Sequence, residues 1–418
     1  MEKSTTTTSK QWLQRLKDES WEAELLVSAV AIFGTFKLFG VIDWLTNKFI
    51  DILDPNLYLT AYAVVFFGLF AISILASMFV IHFFLRAYWI GLVGLNSVFP
   101  DYSIEDSAYS KIYTEKILSI LPKLKDSIEK VDELCSVIFS AAFTFLLIYS
   151  NFALIATIYI ILFNLLSSIV PPMVLLIPLI FLLSMVFLQS GLSIYANLKM
   201  NHEKEELQNR SFQLNKISSM ILFGPLYKAI LQVSMIFTSN FKKKKRLSYL
   251  MIIFVSSGAF VALFQMGQTN IPYLINSKKY FSKTKVESSF YEINNDENLY
   301  LLTPEIKSDI INSNTIKVFI PLYSHERKQR IKICDHNLKD ATEQQEDERL
   351  LYCYKEYVKI KVNEQPIDVE FLRYIHQRTD QFGVVGYIVN NNLKPGKNSL
   401  TVAKGNGNSW KIPFYFQK

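Results

Sequence analysis

Two long stretches of the chain carry no charged residue, and this feature limits the possible fold more than any other. They cover residues 134–163 and residues 169–198. A helix needs about 20 mostly apolar residues to cross a hydrocarbon core about 30 Å thick. Both stretches exceed that length. The chain is therefore predicted to be an integral membrane protein that crosses the bilayer with helices.

Five segments in all meet this requirement. They are residues 25–45, 61–86, 134–163, 169–198 and 249–267. A sixth apolar stretch, residues 217–238, carries Lys228 in its middle and the pair Gly224-Pro225 near its start. Proline has no N–H and crowds the preceding turn. We therefore predict that this stretch forms an interfacial or re-entrant helix and does not add a sixth span.

Composition divides the chain into three parts. Residues 1–24 are polar and have no cleavage site of a signal peptide, so they are predicted to be a cytoplasmic segment. Residues 25–267 form the helical membrane domain. Residues 268–418 have the composition of a soluble domain. The whole chain is 50% apolar and 19% charged, which excludes an intrinsically disordered protein.

The distribution of Lys and Arg predicts how the chain is oriented. The polar segments alternate between rich and poor in these residues: four in 1–24, one in 46–60, six in 86–133, none in 164–168 and ten in 199–248. Loops rich in Lys and Arg stay in the cytoplasm. Five spans with a cytoplasmic N-terminus and an extracytoplasmic C-terminal domain fit this alternation.

An amphipathic helix is predicted at residues 103–133, on the cytoplasmic side. Its apolar residues recur at spacings of three and four, which places them on one face of a helix. Pro122 is expected to begin a second helical piece, since proline is tolerated in the first turn. The element could lie on the membrane, pack on a partner subunit, or pack within its own chain.

The C-terminal domain shows the alternation of half-buried strands. Ile316, Val318 and Ile320 alternate with other residues, and the segment 358–362 has the same pattern. Gly405 to Asn408 separate two further apolar segments, as in a β-hairpin. About seven short strands are expected. The fold class is therefore a helical transmembrane bundle followed by an extracytoplasmic all-β, sandwich-like domain.

Cysteine usage is sparse. Cys334 and Cys353 both lie in the C-terminal domain, on segments expected to be strands. An extracytoplasmic compartment is oxidising and would allow a disulfide between them. Two reduced, buried thiols are the alternative. Cys135 begins the third span and is expected to be a small packing residue.

Ionisable residues within spans are candidates for function. The candidates are Lys37, His82 and Arg86. For Lys37 the favoured interpretation is that its long side chain reaches the interface. His82 lies one turn before Arg86 and is expected to form a hydrogen bond there and not to relay protons. The basic run is expected to set the topology and to contact anionic lipid head groups; it comprises Lys242, Lys243, Lys244, Lys245 and Arg246.

Motifs of catalysis, nucleotide binding and metal binding do not stand out in this sequence. There is no HExxH, no P-loop, no GxGxxG and no GxSxG. We therefore expect no enzyme activity, no cofactor, no metal and no nucleic-acid partner. The leading hypothesis is a membrane protein whose outer domain binds another protein or a cell-envelope component. An oligomeric channel or transporter lined by Lys37, His82 or Asn151 is the alternative.

Two segments resemble known bacterial proteins. They are residues 20–26 (SWEAELL) and residues 82–100 (HFFLRAYWIGLVGLNSVFP). Both resemble uncharacterised multi-pass inner-membrane proteins of Bacteroidota, and the similarity extends over about the first third of the chain. These proteins have no known catalytic or binding role that could be transferred. The resemblance implies only that the chain resides in a bacterial cytoplasmic (inner) membrane.

Overall fold

The structure is a computed structural model. It describes residues 2–99, 108–166, 170–241, 245–277, 287–294, 300–334, 343–389 and 393–417. The chain forms two compact units. One unit comprises Met1–Lys37 and Phe70–Val261, and the other comprises Leu38–Leu69 and Ala262–Lys418. We call them the helical unit and the β unit.

Helices make up nearly all of the described chain before residue 277. The long ones are α1 (Glu2–Ile52), α2 (Tyr58–Val98), α3 (Lys111–Ile120), α4 (Leu124–Leu166), α6 (Ile177–Ala196), α7 (Glu205–Phe223), α8 (Tyr227–Phe241) and α9 (Lys245–Gly267). The short helices α5 (Pro172–Leu175) and α10 (Ile271–Ile275) precede α6 and follow α9. Several of these helices are longer than a bilayer requires, so they extend beyond the predicted spans.

Six helical segments in the described chain are long and apolar enough to cross a membrane. They are Ser20–Ile52, Pro55–Val98, Lys111–Tyr159, Ile177–Ala196, Glu205–Phe237 and Tyr249–Gly267. The prediction counted five such segments. The additional one, Glu205–Phe237, covers the stretch expected to be interfacial or re-entrant. It is interrupted at Gly224-Pro225, as predicted, where Gly224 has a φ of +51° between α7 and α8.

The amphipathic segment differs in part from its prediction. Residues 103–107 lie outside the described residues, and the rest forms α3 and the start of α4. Leu124, two residues after Pro122, begins α4, which confirms a new helical piece at that point. This piece does not end where the predicted span begins. It continues without a break to Leu166.

The core of the helical unit lies where three helices meet. Leu75, Met78 and Phe79 of α2 pack with Ile138 and Ala142 of α4 and with Phe254 of α9. Gly258 permits the close approach of α9 to α2, because a Cβ there would lie 2.5 Å from a side-chain carbon of Ile74 and 2.8 Å from its Cα. Small residues commonly allow such contacts between membrane helices.

Two sheets form the main part of the described β unit. The strands are β1 (Glu305–Ile306), β2 (Ile310–Ile311), β3 (Thr315–Pro321), β4 (Val358–Val362), β5 (Gln365–Ile367), β6 (Phe371–Ile375), β7 (Phe382–Val389), β8 (Gly396–Lys404) and β9 (Ser409–Phe416). The four-stranded sheet has the order β1-β3-β7-β6, and the five-stranded sheet has the order β2-β9-β8-β4-β5. All pairs are antiparallel except β2 with β9.

One hydrophobic cluster draws residues from both sheets, as in a sandwich-like domain. Val318 and Val384 enter it from the first sheet, and Val402 and Trp410 from the second. The strands predicted from alternation and the terminal hairpin of β8 and β9 are present. The domain is not all-β, however. The helices α11 (Arg327–Cys334) and α12 (Glu343–Tyr357) lie between β3 and β4.

The β unit includes the end of α1 and the start of α2. The carboxylate of Asp51 accepts hydrogen bonds from the backbone N–H and the hydroxyl of Ser324, at 2.9 and 3.0 Å. Asn270 donates to the side chain of Asn47 at 3.0 Å. The ring of Tyr58 lies 5.9 Å from that of Tyr273. The helical hairpin between the first two spans is therefore packed into the same compact unit as the β-sheets.

Candidate functional site

A buried charge cluster joins three helices of the helical unit. Arg86 of α2 is only 1% exposed, and its guanidinium donates to Asp132 of α4 at 2.6 Å and to Glu24 of α1. The two carboxylates are less buried, with 14% of the Glu24 side chain and 31% of the Asp132 side chain exposed. Breaking a buried pair of this kind leaves a charge uncompensated, so the contacts hold the three helices in register.

His82 extends this cluster by one helical turn. Its Nδ1 atom lies 2.7 Å from the hydroxyl of Ser28 on α1, and its ring is completely buried. Its Nε2 atom lies 3.8 Å from a carboxylate oxygen of Glu24, too far for a hydrogen bond. This nitrogen has no hydrogen-bond partner. The expected hydrogen bond of His82 is thus confirmed at one ring nitrogen only.

Aromatic rings enclose the cluster. The guanidinium carbon of Arg86 lies 4.9 Å from the centroid of the Trp89 ring, a cation–π contact. Trp21 lies 5.8 Å from Trp89, and the ring of Phe139 lies 5.3 Å from that of His82. Cys135 is buried nearby on α4 as a free cysteine, as expected of a packing residue. The charges therefore lie in an apolar surrounding where their interactions are strong.

Sequence reasoning identified His82 and Arg86 but missed their partners. Glu24 was assigned to the polar N-terminal segment and Asp132 to the amphipathic helix. The missed signal is their position, because both lie one or two residues before a predicted span, on the side where the span of Arg86 ends. Lys37, the third candidate, does not join the cluster. Its side chain is exposed on α1.

Uncharged polar residues form a second group within the helical unit. Asn151 of α4 donates to the carbonyl of Leu222, next to the break at Gly224-Pro225. Gln189 of α6 donates to Asn215 of α7 at 2.9 Å. Such interhelical hydrogen bonds are the usual contribution of uncharged polar residues between membrane helices. Ser218, fully buried on α7, has a hydroxyl without a partner.

Two other predicted sites lie partly outside the described residues. In the basic run, residues 242–244 are not described, and the side chains of Lys245 and Arg246 are not either. The lipid contact therefore stays a prediction. Cys334 and Cys353 lie on the helices α11 and α12, not on strands as expected. The side chain of Cys334 is not described, so the disulfide also stays a prediction.

The β unit buries two ionic clusters. In the first, Lys404 donates to both carboxylate oxygens of Glu326, at 3.0 and 3.2 Å. Burial lowers the pKa of the Lys404 ammonium, and the neighbouring Glu326 carboxylate opposes that shift. The ammonium also lies 4.7 Å from the ring of Tyr323. Burial raises the pKa of the Tyr323 hydroxyl well above its ordinary value.

The second cluster in the β unit again contains a histidine. Glu305 accepts from Arg378 at 2.5 Å and lies 3.1 Å from Nε2 of His376. Nδ1 of His376 lies 3.2 Å from the hydroxyl of Thr379. Both ring nitrogens of this buried histidine therefore have hydrogen-bonding partners.

An open groove of about 890 Å³ lies on the outer face of the five-stranded sheet. Tyr415 lines it, with Ile310 and Lys397 directly beside Tyr415 on the neighbouring strands. The Tyr415 side chain is 59% exposed, whereas Phe414 and Phe416 point into the core. Asp309 and Gln417 add polar groups to the lining. The groove has the size of a small-molecule or peptide site.

Within the described residues, no group of three or more His, Cys, Asp or Glu side chains is arranged to hold a metal ion. No family model matches the chain, and neither curated proteins nor solved structures include a match to it. The site must therefore be interpreted from its own geometry.

Proposed function

We propose that this chain is a non-enzymatic membrane protein that holds its β unit outside the cytoplasm and binds a partner there. The partner is another protein or a component of the cell envelope. The groove around Tyr415 is the observation that carries this proposal. A solvent-facing aromatic ring with polar groups at its border supplies both contact area and specific hydrogen bonds.

A parity argument supports a topology of five spans. Asp51 follows the first span, and its contact with Ser324 requires that both segments lie on one side of a bilayer. An even number of crossings must then separate them. The helices α2, α4, α6 and α9 supply four crossings, and a crossing by residues 205–237 would make five. We infer that residues 205–237 enter and leave on the same side, with the break at Gly224-Pro225 as the turning point.

Cysteine labelling tests this topology. Asn56→Cys and Ser308→Cys should react with an impermeant reagent added outside intact cells. Arg210→Cys, at an exposed position on α7, should react only after the cells are permeabilised. Labelling of Asn56→Cys and Ser308→Cys from opposite sides would contradict the parity argument, and labelling of both only from the cytoplasm would reverse the orientation.

Photocrosslinking tests the binding groove. A photoreactive amino acid at position 415 should form an adduct in living cells, and digestion of the adduct by protease or by glycosidase distinguishes a protein from a glycan. Position 359 is the matched control, because Lys359 lies on the same sheet with 58% of its side chain exposed but outside the groove. Equal adducts at both positions, or none at 415, would contradict the proposal.

A channel or transporter is the second candidate, and one observation favours it. Broken helices at membrane depth commonly line substrate or ion sites, because they free backbone carbonyls. The break after Leu222 has this form, with Asn151 donating to a freed carbonyl. Purified protein in liposomes would then conduct ions, and Asn151→Leu would change that flux. Liposomes that stay impermeable with the wild-type protein would exclude this candidate.

A further inference from the structure

His82 leaves one hydrogen bond unmade in the charge cluster of the helical unit. Nε2 of His82 points towards Glu24 but stops 3.8 Å from its carboxylate, and it has no other partner. A fully buried polar atom without a partner is costly. The other ring nitrogen is already engaged with Ser28. The missing interaction of His82 is therefore located at Nε2, and among the described residues Nε of Arg86 and Nε1 of Trp89 in the same cluster also lack a partner.

The charges of the cluster do not balance. Glu24 and Asp132 are two carboxylates, and Arg86 is one guanidinium, so the cluster has an excess of one negative charge when His82 is neutral. Among the described side chains, the other groups that face His82 do not supply a cation. They are the hydroxyl of Ser28 on α1, the ring of Phe139 on α4, and the thiol of Cys135 close to Arg86.

We propose that the His82–Glu24 pair is a proton-binding site. A proton from water adds to Nε2 of His82, and the resulting imidazolium donates a hydrogen bond to the Glu24 carboxylate. The same proton satisfies the orphaned nitrogen and cancels the excess negative charge. Glu24 then links Arg86 to a second cation, so proton binding tightens the contact between α1 and α2.

Water can reach this site from one side. The side chain of Asp132 is 31% exposed, although Arg86 and His82 are buried. The proton therefore arrives from the aqueous phase next to Asp132, which has the more exposed of the two carboxylates. By the orientation proposed above this phase is the cytoplasm, but the site itself does not depend on that orientation or on the groove around Tyr415.

The β unit offers an internal control. Glu305 also lies between a histidine and an arginine, but both nitrogens of His376 have partners, and one carboxylate meets one guanidinium. That arrangement leaves neither ring nitrogen of the histidine without a partner. Glu305→Gln should therefore leave the protonation of His82 unchanged.

Nitrogen NMR of ring-labelled histidines in the full chain, purified in detergent, tests the proposal. The His82 signal should change from neutral imidazole to imidazolium as the pH falls from about 8 to about 5, the range in which histidines change charge. Glu24→Gln should abolish this change in that range. Comparison with His82→Asn assigns the signal. If that variant does not fold, variants of the other four histidines assign it by elimination.

Three outcomes would overturn the proposal. His82 could stay neutral down to about pH 5 while the protein remains folded. Its titration could be the same in Glu24→Gln as in the wild type. Added sodium at constant pH could remove the change, which would identify the site as one for a metal cation. Crosslinking at Tyr415 is unaffected by any of these outcomes, so this proposal and the proposed function fail separately.

Discussion

Both units place a glutamate between a histidine and an arginine, yet the two clusters differ in the hydrogen bonds of the histidine and in the number of carboxylates. Around Glu305 each ring nitrogen of His376 has a partner within 3.2 Å. Around Glu24 the nearest His82 nitrogen is 3.8 Å away, and Asp132 adds a second carboxylate. The comparison teaches that the same residue types can satisfy both ring nitrogens of a buried histidine or leave one of them without a partner.

The two units also differ in how deeply their charged side chains are buried. Glu326 and Lys404 of the β unit are both almost completely buried, whereas the two carboxylates of the helical cluster keep contact with solvent. Water screens the exposed charges and reduces what each pair contributes. Substitutions should therefore cost more in the β unit than in the helical unit.

The largest effect is expected from Lys404→Met. This change leaves the Glu326 carboxylate buried without its main cation, and breaking a buried pair costs about 3–5 kcal/mol. Chemical unfolding followed by tryptophan fluorescence measures the loss. Lys411→Met is the matched control, because Lys411 pairs with Glu364 at the surface and should cost under about 1 kcal/mol. Equal losses for the two variants would contradict the role of burial.

Arg86→Met should lower the free energy of unfolding about half as much as Lys404→Met does, because the carboxylates of Glu24 and Asp132 are partly exposed. Thermal unfolding in detergent measures this effect. Adding Glu24→Gln and Asp132→Asn to Arg86→Met should restore part of the stability, since no unpaired charge then remains. If the triple variant were less stable than Arg86→Met, the unpaired charge of the two carboxylates could not be the cause of the loss.

A smaller effect is expected where α9 meets α2. Gly258→Val places a side chain against the backbone of Ile74, and overpacking of this kind costs about 1–3 kcal/mol. Gly191→Val is the control, because nothing lies within 4 Å of a Cβ at that position of α6. A thermal unfolding temperature that is unchanged in Gly258→Val would show that the two helices can move apart at little cost.

The smallest effect concerns alkaline pH and belongs to the β unit. Burial raises the pKa of the Tyr300, Tyr323 and Tyr357 hydroxyls. Above about pH 10 the unfolded chain loses these protons while the folded chain keeps them. Stability must then fall as the pH rises through that range. Burial of Lys404 has the opposite effect at pH values below the ordinary lysine pKa. Its lowered pKa means that the folded state binds fewer protons than the unfolded chain, so this group makes stability rise with pH there.

Urea unfolding at several pH values between about 9 and 11 checks this prediction. The wild type should lose stability as the pH rises through about 10. Tyr300→Phe should lose less, because one of the three hydroxyls is gone. A stability that is constant over this range in the wild type would contradict the assignment.

Much of the architecture could be predicted from local patterns. Charge-free runs predicted the membrane helices, and alternation at Val358, Ile360 and Val362 predicted β4. The helices α11 and α12 were missed because the segment 327–357 is too polar for a clear helical face, and two cysteines in it were assigned to strands. The count of long apolar helices was also low by one, because Gly224-Pro225 was taken to exclude a full-length segment.

The candidate sites could be predicted only in part. His82 and Arg86 were identifiable because an ionisable residue inside an apolar run is expensive and therefore informative. Their partners Glu24 and Asp132 lie 62 and 46 residues from Arg86 along the chain. Both lie at the polar borders of predicted spans, where charged residues are common, so no local pattern marks them as partners of Arg86.

The sequence by itself determined which long apolar segments are helical, which segments alternate as strands, and which segments are rich in Lys and Arg. These properties follow from residue type and spacing over short distances. Only the tertiary structure decided which charges meet, that the hairpin at Asp51 joins the β unit, and that one nitrogen of His82 is left without a partner. These features depend on how helices rotate and pack against one another, and that is set by long-range contacts which no local pattern contains.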